Sequence, residues 1–317
     1  MGTLPLFDEP GGFDRERLRD RLAEQARAGI FIGTSSWKYE GWFGQIYTRE
    51  RYLSRGRFSQ RRFEQECLAE YAEVFPVVCG DFSFYQFPSE DYWRRLFTSA
   101  PATLRYAFKV PEELTVKQFP SHPRYGPRGG AGNPSFLDAS LFDGSFLEPL
   151  RPWRGQIAAL ILEFGQFPRQ CYRNVTEFME ELEPFLAALP ADFRYAVEVR
   201  NEEFLAPEYF ACLRQRRVAH VFNEWTRMPE IGLQMEFPQA RTTNFSVARA
   251  LLRPGRPYEQ AVERFRPYDR IQEPHSPARE ALRDLMAQAR ERNEPAYIFV
   301  NNRLEGNAPG TIESLIG

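Results

Sequence analysis

Eight short apolar runs, each rich in β-branched or aromatic residues, constrain this chain more than any other feature. They lie at 30–35, 75–82, 104–110, 157–164, 195–200, 218–222, 240–248 and 296–301. Several are near-continuous rather than alternating, as strands covered on both faces are. Helix-patterned stretches at 61–74, 89–99, 174–189, 206–217, 257–266 and 276–293 separate most of them. Pro184, inside 174–189, predicts a kink or break there. Strand–helix alternation predicts parallel βαβ units. Eight such units in about 290 residues predict a single-domain α/β fold, a TIM-like (β/α)8 barrel with parallel strands. The competing architecture is a doubly wound open sheet, because periodicity does not see closure. No GxGxxG follows the first run, which argues against a dinucleotide-binding domain and leaves the cofactor unknown.

Two units are expected along the chain. Residues 1–29 read as a tail, disordered to about residue 14, followed by a polar helix at 15–28 with Leu18, Leu22 and Ala26 on one face. Residues 30–317 form the barrel domain. Two connections, 111–145 and 223–239, exceed the usual length and read as lids, binding loops or surface insertions. With 28 Phe, 14 Tyr and 5 Trp, a large core can be buried and wholesale disorder is excluded. No apolar run approaches the ~20 residues of a spanning helix, so no membrane partner is expected. The first residues carry no apolar signal-peptide core. Cys67, Cys79, Cys171 and Cys212 form no CxxC, and His122, His220 and His275 are widely scattered. A cytoplasmic, reduced setting is therefore expected, with no metal site of histidine or cysteine. The formal charge of −2 does not advertise nucleic acid, although a local basic patch stays open.

The cations are unevenly chosen: 38 Arg against three Lys, at Lys38, Lys109 and Lys117. A GC-rich genome explains the scarcity of Lys but not its placement. Barrel chemistry sits at the C-terminal ends of strands. There the chain offers Trp37, Asp81 with Tyr85, Lys109, Glu163, then Glu198 with Arg200, and finally Asn301-Asn302. Lys109 can hold a phosphate or carboxylate, act as a base, or simply pair with Glu163 or Asp81. Glu163 and Glu198 fall on neighbouring strands and can serve as acid and base. Glu198 and Arg200 share parity and can instead satisfy each other. Trp37 and Tyr85 can wall a ligand or close the barrel as core. Asn301 and Asn302 can bind a ligand or cap a turn. Arg249 and Arg253 read as following the seventh strand. A divalent ion on Asp81, Glu163 and Glu198 stays open.

Several blocks, in order, resemble the YecE-like family, catalogued as domain of unknown function 72. They are Gly33-Thr34-Ser35-Ser36-Trp37 with Trp42 and Tyr47, then Tyr71-Ala72 and Phe75 with Phe84-Tyr85 and Pro88. Phe108-Lys109-Val110-Pro111 with Thr115, Ala196-Val197-Glu198-Val199-Arg200 and Asn301-Asn302 with Gly306 and Ala308 follow. The resemblance runs from about residue 30 to the C-terminus and implies a TIM-like barrel without a settled activity. It departs from the pattern at Cys79, Asp81, Val116, Glu163, Asn201 and Arg303, and keeps none of the pattern's histidines. The expected function is binding of a small anionic or phosphate-bearing ligand at the C-terminal face, with hydrolase activity as one form of it. Lys109 and Arg200 would hold the anion, and Glu198 or Glu163 would handle protons. Other readings are a nucleic-acid or phosphodiester protein, by analogy with endonuclease IV-type barrels, a glycoside hydrolase using Glu163 and Glu198, and a non-catalytic scaffold that binds a partner through 111–145.

Overall fold

In the computed structural model, which describes residues 12–317, eight parallel strands close into a barrel. They are β1 (Ile30–Thr34), β2 (Val77–Gly80), β3 (Arg105–Lys109), β4 (Ile157–Phe164), β5 (Tyr195–Val199), β6 (Ala219–Glu224), β7 (Ser246–Ala250) and β8 (Ala296–Val300). Each pairs with its neighbour in sequence, and β8 returns to β1 over five register pairs. The open-sheet alternative is thereby excluded. The tail expected up to residue 14 lies mostly outside the described residues.

Alternation along the strands divides the core in two. Residues such as Val77, Cys79, Ala107, Ile161, Ala196, Val221, Val247 and Phe299 pack together in the bore. Their sequence neighbours, such as Val78, Phe108, Leu160, Val197 and Ile298, pack outward against the helices. A period-two pattern that is apolar on both faces produces this arrangement. The bore is narrow enough for side chains to fill it.

The helices start at local signals. Asp14, Ser59, Ser89 and Asn174 each accept a backbone N–H from the first turn of the helix that follows. The helix expected at 15–28 is Arg15–Arg27, with Leu18 and Leu22 buried. Pro184 does not break its helix, which runs unbroken over Val175–Ala188. Buried residues on both sides of it, Phe178 and Leu182 before and Phe185 and Leu186 after, hold the segment on the barrel.

The seventh strand is displaced from its expected place. It is Ser246–Ala250 rather than 240–248, and Arg249 lies within it instead of after it. Thr242 explains the shift: its hydroxyl donates to the Val218 carbonyl at 2.7 Å and accepts the His220 N–H at 2.9 Å. The segment before Ser246 is thus tied to the start of β6 by a side chain rather than by a ladder. The last helix, Ala308–Ile316, was not anticipated. Among the described residues no helix is long and apolar enough to cross a membrane.

Candidate functional site

Strand parity delivers the site. Lys109 follows Ala107 by two residues, Glu163 follows Ile161, Glu198 follows Ala196 and Arg249 follows Val247, so all four continue the bore-facing rows. The register sets Glu163 beside Glu198 on adjacent strands. Above the apolar layers the bore therefore ends in charge.

Arg249 organises that charge. It is 1% exposed and reaches across the bore from β7. Its Nη1 donates to Glu163 Oε2 at 2.7 Å and to Glu198 Oε2, and its Nη2 to Asp81 Oδ1 at 3.3 Å. Lys109 Nζ stands 3.0 Å from Glu163 Oε2 and Arg200 Nη2 stands 2.8 Å from the same oxygen. Arg200 also donates from Nε and Nη2 to Glu198 Oε1, at 3.2 and 3.0 Å. Three carboxylates thus meet three cations. Three cations converge on one atom, Glu163 Oε2.

Burial alone would raise the Glu163 carboxyl. Arg200, Lys109 and Arg249 overrule it and hold the group well below the usual carboxylate range. Burial likewise opposes the charge of Arg249, and Glu198, Glu163 and Asp81 restore it. The Cys79 thiol, shut into the bore beneath, is pushed up to about 12 by burial and is inert as a nucleophile at neutral pH.

The two outer cations are fixed by aromatic rings. Lys109 Nζ lies 3.8 Å from the centre of the Phe84 ring, and the Arg200 guanidinium lies 3.6 Å over Trp225. Ser83 donates to the Lys109 carbonyl at 2.7 Å, which ties the turn after β2 to the end of β3. Tyr85 is the open rim, 60% exposed, with the Arg124 guanidinium 5.1 Å over its ring. Arg124 belongs to the long 111–145 connection, which is folded rather than loose: Glu112 accepts from Arg124 and from the Tyr125 hydroxyl. On the same face, loops after β4, β5 and β6 enclose a groove of about 940 Å3 lined by Arg169, Arg227, Glu203 and Phe167.

The sequence expectations therefore divide. Lys109, Glu163, Glu198, Arg200 and Asp81 come together. Trp37 does not join them: it is buried, edge-on to Phe82 at 6.3 Å, as part of the core. Asn301 caps the turn at Asn302–Glu305 through the Arg303 N–H at 3.0 Å. Asn302 accepts from the Trp42 indole at 3.2 Å and the Ala308 N–H at 2.8 Å, a structural role. The sequence pattern places Arg249 after its strand, and only the shifted end of β7 reveals it as the hub. The signal was its parity with Val247. A divalent ion on Asp81, Glu163 and Glu198 has little to recommend it. Arg249 already bridges the three, and among the described residues no group of three or more candidate ligand side chains is placed around one point.

Known proteins place this geometry in a family but not in a reaction. The structure is similar to that of a DUF72 family protein from Thermotoga maritima, at TM-score 0.58 and 20% identity over 90% of this chain and 97% of that one. It is also similar to a DUF72 family protein from Enterococcus faecalis, at TM-score 0.57 and 15% identity over 90% and 95%. Among curated proteins none matches the chain significantly in sequence. The family model described as "Protein of unknown function DUF72" matches residues 31–317, nearly the whole barrel, and the chain belongs to that family.

Proposed function

We propose that the C-terminal mouth of the barrel binds a small anionic or phosphate-bearing ligand, with Lys109 and Arg200 as its cationic contacts. One observation carries this reading: three cations share the single oxygen Glu163 Oε2. One oxygen cannot use all the donors of an ammonium and two guanidiniums. The Lys109 and Arg200 side chains keep slightly more exposure than that of Arg249, 8% and 12% against 2%, and can turn spare donors to an incoming anion without abandoning Glu163. Phe84, Tyr85 and Trp225 flank them and form the apolar wall.

The charge state favours binding over proton transfer. A general acid near neutral pH needs a raised pKa, and Glu163 is held low. Glycoside hydrolysis by Glu163 and Glu198 is disfavoured because both side chains are tied to Arg200 and Arg249. Hydrolysis, if the site performs it, would draw on electrostatic stabilisation of an anion by Lys109 and Arg200.

The test is a thermal-shift and calorimetry panel of inorganic phosphate, pyrophosphate, AMP, glucose 6-phosphate and citrate, run on wild type and Lys109→Met. An anion at 100 times its Kd stabilises the fold by about 2.7 kcal/mol. The expected result is a shift in wild type that Lys109→Met abolishes. A flat panel, or a shift of equal size in the variant, refutes the assignment.

A further inference from the structure

Strand β3 places a cation at each end of the bore. Arg105, Ala107 and Lys109 share one face, so Arg105 stands at the floor as Lys109 stands at the mouth. The Arg105 guanidinium lies 4.6 Å over the Phe31 ring, and Phe31 stacks on Tyr297 with centroids 5.3 Å apart. A planar cation laid on an aromatic ring is held in place with its edge donors free.

Beside it lies a pocket of about 510 Å3, between the N-terminal helix, the end of helix Gln60–Ala72 and the start of β3. That volume falls in the range of small-ligand sites. Ala23, Ala26, Ala72 and Leu104 give it apolar walls, and Phe31 lines its barrel side. Its titratable lining is Arg19, Arg27, Arg105 and Glu73. Glu73 is already neutralised: Arg15 holds it at 2.7 Å and Arg51 at 2.6 Å, and neither cation is needed from within the pocket. Arg19 pairs with Asp20 at 2.9 Å. Arg27 and Arg105 make no ion pair, and their guanidiniums donate no hydrogen bond, among the described residues. The pocket therefore carries two uncommitted cations over an apolar surface.

We infer that this floor pocket binds a small organic acid with an apolar body, its carboxylate on Arg27 and Arg105 and its body against the alanine walls and Phe31. The site lies at the opposite end of the barrel from the mouth and does not depend on what the mouth binds. An anion alone would leave the apolar walls bare, and an apolar molecule alone would leave the cations unpaired. Benzoate and hexanoate meet both requirements, while acetate carries the charge without the body.

The experiment is calorimetric titration of the full chain with benzoate, hexanoate and acetate. The variants are Arg27→Met, Arg105→Met and, as a control at the other end, Lys109→Met. Wild type is expected to bind benzoate or hexanoate saturably, and acetate at least about tenfold more weakly. Loss of a charge-assisted contact in Arg27→Met or Arg105→Met should weaken the acid about tenfold or more, with Lys109→Met at wild-type affinity. Arg27 is exposed near the end of its helix, so its variant keeps the test decisive if Arg105→Met fails to fold. Absence of saturable binding by both acids, or unchanged affinity in both arginine variants, overturns the inference. Loss of binding in Lys109→Met alone would move the acid to the mouth and equally overturn it.

Discussion

Arg249 is almost wholly shut away from water, and a guanidinium there is tolerable only while its carboxylates stay ionised. Removing it strands Glu163 and Glu198 with a smaller share of positive charge. Arg249→Met should therefore destabilise the fold by about 3–5 kcal/mol, the cost of breaking a buried pair from one side. Arg249→Lys should recover little, because one ammonium cannot reproduce the fork that spans two strands and Asp81. Urea denaturation measures both, and a loss below about 1 kcal/mol in Arg249→Met would refute the hub role. The neighbours of Arg249 were legible in the sequence because each falls within the last three residues of an apolar run. Arg249 was not, because the apolar run reads as 240–248, two residues short of the strand's end at Ala250.

Among the elements, β1 and β2 make the weakest seam. They share a single register pair, Thr34 with Val78. The Tyr71 hydroxyl mends the gap: it donates to the Val77 carbonyl and accepts the Thr34 N–H, both at 3.0 Å. Gly33 makes this approach possible. A Cβ there would lie 1.8 Å from the Val77 oxygen and 2.8 Å from its carbonyl carbon, backbone atoms that cannot swing aside. Gly33→Ala should cost about 3 kcal/mol or more, near the upper end of overpacking penalties. Equilibrium denaturation and amide exchange of β1 check it, and wild-type protection in the variant would contradict the close seam. The helices were the most legible elements, since caps and apolar stripes are local. Pro184 shows the limit, because the packing around it, not its own geometry, decides that the helix continues.

At the scale of the whole molecule, acid stability follows from groups that folding holds in one charge state. His220 faces outward from β6 into Tyr209, Phe210 and Phe222, with its Nδ1 3.0 Å from the Tyr209 hydroxyl. Burial pushes it down to about 4. A histidine whose folded pKa is depressed contributes stability that is complete above its unfolded value, about 6.5, and is lost as pH falls towards the folded one. The loss across that window should be about 3 kcal/mol. Glu163 acts in the same direction at lower pH: its stabilisation is present above the usual carboxylate range and fades below it. His220→Gln should therefore flatten the stability profile between about pH 6.5 and 4 while leaving the loss at lower pH in place. Parallel profiles for wild type and His220→Gln over that window would show that the ring is not held neutral.

The chain by itself determined the number of barrel strands, their parallel order and most of the helices between them, because burial on both faces and on one stripe leaves a local period. It also pointed Glu198 and Arg200 the same way, because strand alternation carries over to the residue just past the end of β5. Only the tertiary structure decided that the sheet closes, because the pairing of β8 with β1 joins segments from opposite ends of the sequence. Closure in turn brought Arg249 of β7 across the bore to Asp81, just after β2, and to carboxylates on β4 and β5. Charge pairing depends on distance through space, and no periodicity along the chain records which strands will face each other across a barrel.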